Sequence, residues 1–179
     1  MKKLSSPEDR KGLLAIARNA ISESLGLTPE QQPPLPAGSG GVFVTLRIDG
    51  NLRGCIGRLR SNAPIGSTVA QMAKSAAFED PRFFPLAKEE LHRIEIEISR
   101  LSEFFPITAE EVVVGIHGLM LTLGSKSGLL LPQVPGEQGW DRDAYLSGLC
   151  NKAGLADRSW ENPKARLEAF TAEVFSEER

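Results

Sequence analysis

Val42-Phe43-Val44-Thr45-Leu46-Arg47-Ile48-Asp49-Gly50-Asn51-Leu52-Arg53-Gly54-Cys55-Ile56-Gly57 is the stretch on which the fold turns. Its first seven residues are rich in β-branched and aromatic side chains, with Val42, Val44, Leu46 and Ile48 on one face of an extended strand. Asp49-Gly50-Asn51 offers residues that tolerate positive φ, so residues 52–57 form the returning strand of a hairpin. Loop length then sets which face that strand shows. A two-residue loop puts Arg53 and Cys55 on the face of Val44 and Leu46 and buries the thiol. A three-residue loop puts them beside Thr45 and Arg47 and exposes it. Both registers fit the sequence.

Upstream, Ser6-Pro7-Glu8-Asp9 starts a helix with a hydroxyl cap, a first-turn proline and acids at the positive dipole end. Leu13, Leu14, Ala17, Ile21 and Leu25 recur at helical spacing, and Gly26 stops the helix. Residues 27–41, with Pro29, Pro33, Pro34, Pro36, Gly38, Gly40 and Gly41, are an extended surface loop. Downstream, residues 64–78 form a second helix with Ile65, Val69, Met72 and Ala76 inward, ended by Asp80-Pro81. In residues 91–101, Ile94, Ile96 and Ile98 alternate with Glu95, Glu97 and Ser99, the pattern of a half-buried strand.

Thr108-Ala109-Glu110-Glu111 fits a capping box. Residues 112–116 and 119–123 are expected to pair as a hairpin turning at His117-Gly118, since that register aligns six apolar side chains. Gly124 to Gly128 turns the chain into Leu129-Leu130-Leu131-Pro132. After a loop with Pro135, Gly136 and Gly139, Asp141 caps a helix over 142–153, closed by Gly154, and an alternating segment over 167–175 is a terminal strand. Three long helices among about seven strands, joined mostly by turns, predict an α+β protein with a largely antiparallel or mixed sheet flanked by helices.

A length of 179 residues suits one core or two small subdomains sharing one. The net charge of -2 argues against sequence-blind nucleic-acid binding. Cys55 and Cys150 make no disulfide framework, and Cys55, Cys150, His92 and His117 lack metal-ligand spacing. The residues before Ser5 include no apolar signal core, and no run approaches the ~18 apolar residues of a membrane span. These features predict a cytoplasmic protein with reduced thiols and no membrane partner.

Residues 52–57 concentrate a cation, a thiol and two glycines. On an extended strand Arg53 and Cys55 point to the same side, which allows a thiolate–guanidinium pair and a nucleophilic role for Cys55. A small packing residue in a glycine-rich strand is the alternative, and the weightier one. His117 is the base by residue type, although a turn histidine fits its context better. Glu95 and Glu97, about 7 Å apart on one strand face, suit acid–base work or salt bridges to Arg47, Arg53, Arg58 or Arg60; a salt-bridged or solvated face is the commoner outcome. Cys150 lies among Leu146, Leu149 and Ala153 as a buried thiol. Trp140 and Trp160 could stack a ligand but fit better as packing anchors.

Leu52-Arg53-Gly54-Cys55-Ile56-Gly57 resembles the hallmark of the AMMECR-one domain family, called AmmeMemoRadiSam system protein A in bacteria. Six further segments agree in order. They are Asp80-Pro81-Arg82-Phe83, Ile94-Glu95-Ile96-Glu97-Ile98-Ser99, His117-Gly118-Leu119, Gly128-Leu129-Leu130-Leu131-Pro132-Gln133-Val134, Gly139-Trp140-Asp141 and Cys150-Asn151-Lys152-Ala153-Gly154-Leu155. Arg58 and Phe84 depart from the small or proline residues commoner at their places. The resemblance implies two subdomains in a single domain over 1–179, the larger built from N- and C-terminal parts and the smaller within roughly 105–155, with the hallmark near a groove between them. It also implies Memo-like and radical-SAM-like partners, and it settles neither an activity nor a cofactor.

The expected function is therefore a binding or accessory module. Arg53, Gly54, Gly57, Glu97 and Gln133 would receive a small anionic ligand or a protein segment, the glycines allowing close approach and arginine charge-assisted hydrogen bonds. The alternative is an enzyme with Cys55 as nucleophile, Arg53 stabilising the thiolate, and Glu95 or His117 moving protons.

Overall fold

The computed structural model describes residues 5–29, 31 and 34–177; Met1 to Leu4 and Pro33 lie outside the described residues. The chain divides into two compact units, residues 1–101 with 173–179, and residues 102–172.

The first unit contains α1 (Pro7–Ser24), β1 (Val42–Ile48), β2 (Asn51–Arg58), α2 (Ile65–Phe78), β3 (Ile94–Leu101) and β8 (Ala172–Ser176), and its sheet runs β2-β1-β3-β8. Ser6 Oγ accepts from Asp9 N–H at 3.1 Å while Asp9 Oδ2 accepts from Ser6 N–H at 2.9 Å, a reciprocal cap that satisfies two orphan donors. Both helices pack on one face of the sheet. Leu13, Ile16, Ile21, Ile65, Val69 and Met72 meet Val42, Val44, Leu46, Ile94, Ile96 and Ile98, all buried. The alternation expected in β3 is present: its isoleucines are buried, whereas Glu95, Glu97 and Ser99 are half-buried on the other face.

The second unit holds β4 (Phe105–Pro106), β5 (Gly118–Leu123), β6 (Lys126–Leu130), α3 (Val134–Gln138), α4 (Arg142–Lys152) and β7 (Arg166–Phe170), with sheet order β4-β7-β5-β6. Its core gathers Leu119, Leu121, Tyr145, Leu146, Leu149, Cys150 and Ala169. Asp141 caps α4 as expected, accepting from Ala144 N–H at 2.9 Å. Burial pushes the Tyr145 phenol well above its ordinary range, and its hydroxyl donates to the His117 carbonyl at 3.0 Å.

The chain is thus α+β, with four α-helices and two antiparallel sheets among the described residues. Three local expectations fail. Residues 112–116 are no strand: Gly115 takes φ 83°, and the N–H groups of Ile116 and His117 both donate to the Val113 carbonyl, closing a tight turn. The flanks of β5 belong instead to β6 and β7, which place Leu130 and Ala169 beside Leu119, and Gly128 and Leu167 beside Leu121. The hairpin turn is Gly124-Ser125, with Leu123 opposite Lys126. The segment over 167–175 is two strands rather than one: β7 lies in the second unit's sheet and β8 in the first's, with Thr171 between them. Residues 134–138, expected as loop, make the short helix α3.

Candidate functional site

The β1–β2 hairpin turns on two residues, Asp49 at φ 51° and Gly50 at φ 78°, the primed geometry that matches strand twist. On parity alone a two-residue turn would bury Cys55. A one-residue bulge overrides it. Arg47 pairs with Leu52 and Leu46 with Gly54, so Arg53 is the unpaired residue and every later side chain changes face. Gly54 therefore faces the helices, and Cys55 lies opposite Thr45 on the other face. Thr45 Oγ1 is 3.3 Å from Cys55 Sγ in hydrogen-bond geometry.

The glycines have steric reasons. A Cβ on Gly54 would lie 2.1 Å from the Ala76 carbonyl oxygen of α2, so helix backbone sits directly against the strand. A Cβ on Gly57 would fall 2.1 Å from the Phe43 ring, which covers that glycine from the opposite face.

The Asp80-Pro81-Arg82-Phe83 segment is fastened to the backbone of Cys55. Asp80, buried to within 2% of its side-chain surface, accepts from Cys55 N–H at 2.9 Å and from Arg82 N–H, Nε and Nη2 at 3.1, 2.9 and 2.7 Å. Arg82 Nη2 also donates to the Cys55 carbonyl at 3.2 Å. The two outward backbone groups of Cys55 on this edge strand are thereby capped. Hydrogen bonds from the Arg82 guanidinium, and then from Cys55 N–H, hold the Asp80 carboxyl far below the usual carboxylate range against the opposing effect of burial.

Arg53 is paired with a carboxylate rather than with the thiol beside which strand alternation allowed it. Its Nε and Nη2 reach Glu90 Oε1 and Oε2, each at 2.9 Å, a bidentate pair that lowers the Glu90 pKa. Arg53 and Arg82 both lie over the Phe83 ring, at 5.9 and 5.6 Å from its centroid. Asp80, Arg82, Phe83 and Glu90 are the residues that sequence reasoning missed as site components. By local pattern Asp80 marks the end of α2 and opens a segment that carries the family resemblance. Its signal was an aspartate-proline step followed at once by arginine, but the contact with Cys55 spans 25 positions and has no local signature.

The remaining candidates are distributed as follows. Glu97 lies across β1 from Cys55, with Thr45 between them. Two strand spacings, about 10 Å at the backbone, separate them. Glu95 flanks Arg47 on the same face without forming an ion pair among the described residues. His117 belongs to the second unit. Its Nδ1 accepts from Val113 N–H at 3.2 Å and its ring meets Phe105 edge-on, so it is a turn-fastening residue. Gln133, also in the second unit, is exposed at the start of α3. Among the described residues, no group of three or more His, Cys, Asp or Glu could hold a metal ion.

Cys55 is half-buried and Cys150 fully buried. In the native protein, iodoacetamide is expected to label Cys55 and spare Cys150, with both labelled after unfolding in urea. Mass spectrometry of the two tryptic peptides checks this, and equal native labelling would contradict the burial of α4.

Comparison with known proteins agrees with the motif pattern. A model of the AMMECR1 family matches residues 14–175. The chain belongs to the AMMECR1 family. A protein of Methanothermobacter thermautotrophicus is 39% identical over 185 aligned positions, covering 97% of this chain and 96% of its own length. Protein MK0488 of Methanopyrus kandleri is 40% identical, covering 96% and 89%. The crystal structure of uncharacterized protein PH0010 from Pyrococcus horikoshii superposes with a TM-score of 0.74 at 39% identity, covering 95% of this chain and 93% of that one. Among the described residues, no helix of this AMMECR1 protein is long and apolar enough to cross a membrane.

Proposed function

We propose that this AMMECR1 protein is a binding module that docks a protein partner on β2 and the loop that follows α2. One observation carries the proposal. Phe84 is 90% exposed, yet it sits on a loop pinned on both sides. Before it, Asp80 and Arg82 bind the Cys55 backbone and Phe83 lies beneath two guanidinium groups. After it, Leu86 is buried and its N–H donates to the Ala77 carbonyl at 2.8 Å. A large aromatic held out to solvent on a preorganised loop loses little entropy on contact, the property of an interface anchor. A small free anion has less support, because Arg53 and Arg82 already carry carboxylate partners. Memo-like and radical-SAM-like proteins, the partners implied by the family resemblance, are the first to test.

The test is affinity measurement by calorimetry between the 179-residue chain and each candidate. Phe84→Ala is expected to weaken binding at least about tenfold, the effect of losing an interface anchor, without altering thermal stability. Unchanged affinity would remove this surface from the interaction.

A second reading, a thiol enzyme, draws on the half-exposed Cys55 beside the Thr45 hydroxyl. It predicts that Cys55→Ser abolishes whatever turnover a substrate screen uncovers, whereas the docking reading predicts partner affinity within about twofold of wild type, as for a substitution away from the anchor.

A further inference from the structure

The second unit carries a cavity that the Phe84 surface does not use. It has a volume of about 380 Å³ and lies along one face of α4, lined by Trp140, Ala144, Ser147, Asn151, Leu155 and Asp157. Gly148 forms part of its floor. A Cβ there would lie 2.6 Å from Trp140 Cζ3 and 2.7 Å from Cη2, so the six-membered edge of the indole rests on helix backbone. The N–H edge of the ring points the other way, and it has no hydrogen-bond partner among the described residues. Leu155 is fixed by the helix end: Gly154 takes φ 67° and Leu155 N–H donates to the Cys150 carbonyl at 2.9 Å.

The polar groups at the rim define the chemistry. Asp157 is the one charged side chain in the lining. Its Oδ1 accepts from Arg158 N–H at 2.9 Å; its charge also acts on the Arg158 guanidinium, which is hydrogen-bonded to Glu161, and Oδ2 forms no hydrogen bond among the described residues. The Asn151 amide and Ser147 hydroxyl in the lining likewise form no hydrogen bond among the described residues. An aromatic and aliphatic wall ending in a carboxylate and an amide oxygen suits a long side chain with an apolar stem and a cationic head. The neighbouring segment already shows such a contact internally, with the Arg158 guanidinium 5.7 Å from the Trp160 centroid. A guanidinium fits better than an ammonium, because it stacks flat on an indole and its fork can bridge a carboxylate and an amide oxygen.

We propose that this cavity receives an arginine side chain from a partner polypeptide. The cation stacks on Trp140 and donates to Asp157 and Asn151, and the methylenes lie against Leu155.

The test uses the 179-residue chain carrying Trp160→Phe, which leaves Trp140 as its single tryptophan. The probes are the capped tripeptides acetyl-Gly-Arg-Gly-amide and its citrulline and glutamate counterparts. The readout is the Trp140 indole N–H resonance together with tryptophan fluorescence. The arginine peptide is expected to give a saturable shift in the millimolar range. Citrulline, which keeps the shape and loses the charge, should bind about fivefold more weakly, the contribution of one exposed cation–π and ion-pair contact. Asp157→Asn should bring the arginine peptide to the citrulline level, while Asp143→Asn, outside the lining, should not. Equal binding of arginine and citrulline peptides, or a Trp140 resonance unmoved by all three, overturns the proposal. Because its readout is Trp140, failure here leaves the Phe84 proposal intact.

Discussion

Gly54→Ala is expected to lower stability by about 3 kcal/mol, within the range for overpacking a close-packed site, and to shift the urea midpoint accordingly. The added methyl would lie 2.1 Å from the Ala76 carbonyl oxygen and 3.1 Å from its carbon. Both are main-chain atoms in the last turn of α2, so no rotamer change relieves the contact. Either the helix lifts from β1 and β2, opening the packing of Val69, Met72 and Ala73, or the strand leaves the sheet. Gly136→Ala is the matched control. No atom lies within 4 Å of its added methyl, and stability should change by less than about 0.5 kcal/mol. Equal midpoints for the two variants would show that α2 does not press on the hallmark strand.

Asp80→Asn should be nearly as severe, at about 3 kcal/mol, the scale for breaking a buried charged hydrogen-bond group. The amide keeps the size of the carboxylate but turns a donor toward Cys55 N–H or toward the Arg82 guanidinium, both of which are donors themselves. The effect should also depend on pH in a defined sense. The Asp80 pKa is depressed in the folded state, so its stabilisation is complete above the unfolded aspartate value of about 3.9 and is lost as pH falls from there toward the folded value. The stability gap between wild type and Asp80→Asn, measured by urea titration, should be flat near neutrality and narrow below about pH 4. A gap that stays constant through that range would mean that Asp80 acts through shape rather than charge.

These two residues mark the boundary of what the sequence made legible. The helices α1, α2 and α4, the β1–β2 hairpin and the alternation in β3 follow from periodicity and caps, which are local. Asp49-Gly50 was legible as a turn for the same reason. The face of Cys55 was not, because it depends on the bulge at Arg53, where Gly54 yields to the backbone of α2. That contact joins residues 54 and 76, and no short-range pattern encodes it. The misread hairpin over 112–123 has a related cause. Apolar matching correctly marked Leu119 and Leu121 as inward, but Leu130, Leu167 and Ala169 satisfy that demand as well as Val112 and Val114 could, and they come from farther along the chain. At the site, Arg53 and Cys55 were recognisable by residue type. Their partners Glu90 and Asp80 were not, since a carboxylate's choice among several arginines is made by tertiary geometry.

The division of the last strand segment bears on how the chain acquires its structure during synthesis. β8 completes the sheet begun by β1, β2 and β3, and Glu177 fastens it by accepting from the Arg18 guanidinium and from Ile96 N–H at 3.0 Å. Those residues leave the ribosome only after the whole of 102–172 has been made. The second unit, continuous in sequence, can close as it emerges. The first must wait, with the outer edge of β3 uncovered, for residues 173–177. Its sheet is completed only once residues 173–177 have emerged, and in that interval the exposed β3 edge is where a nascent chain would be captured by a chaperone or pair wrongly with a neighbour.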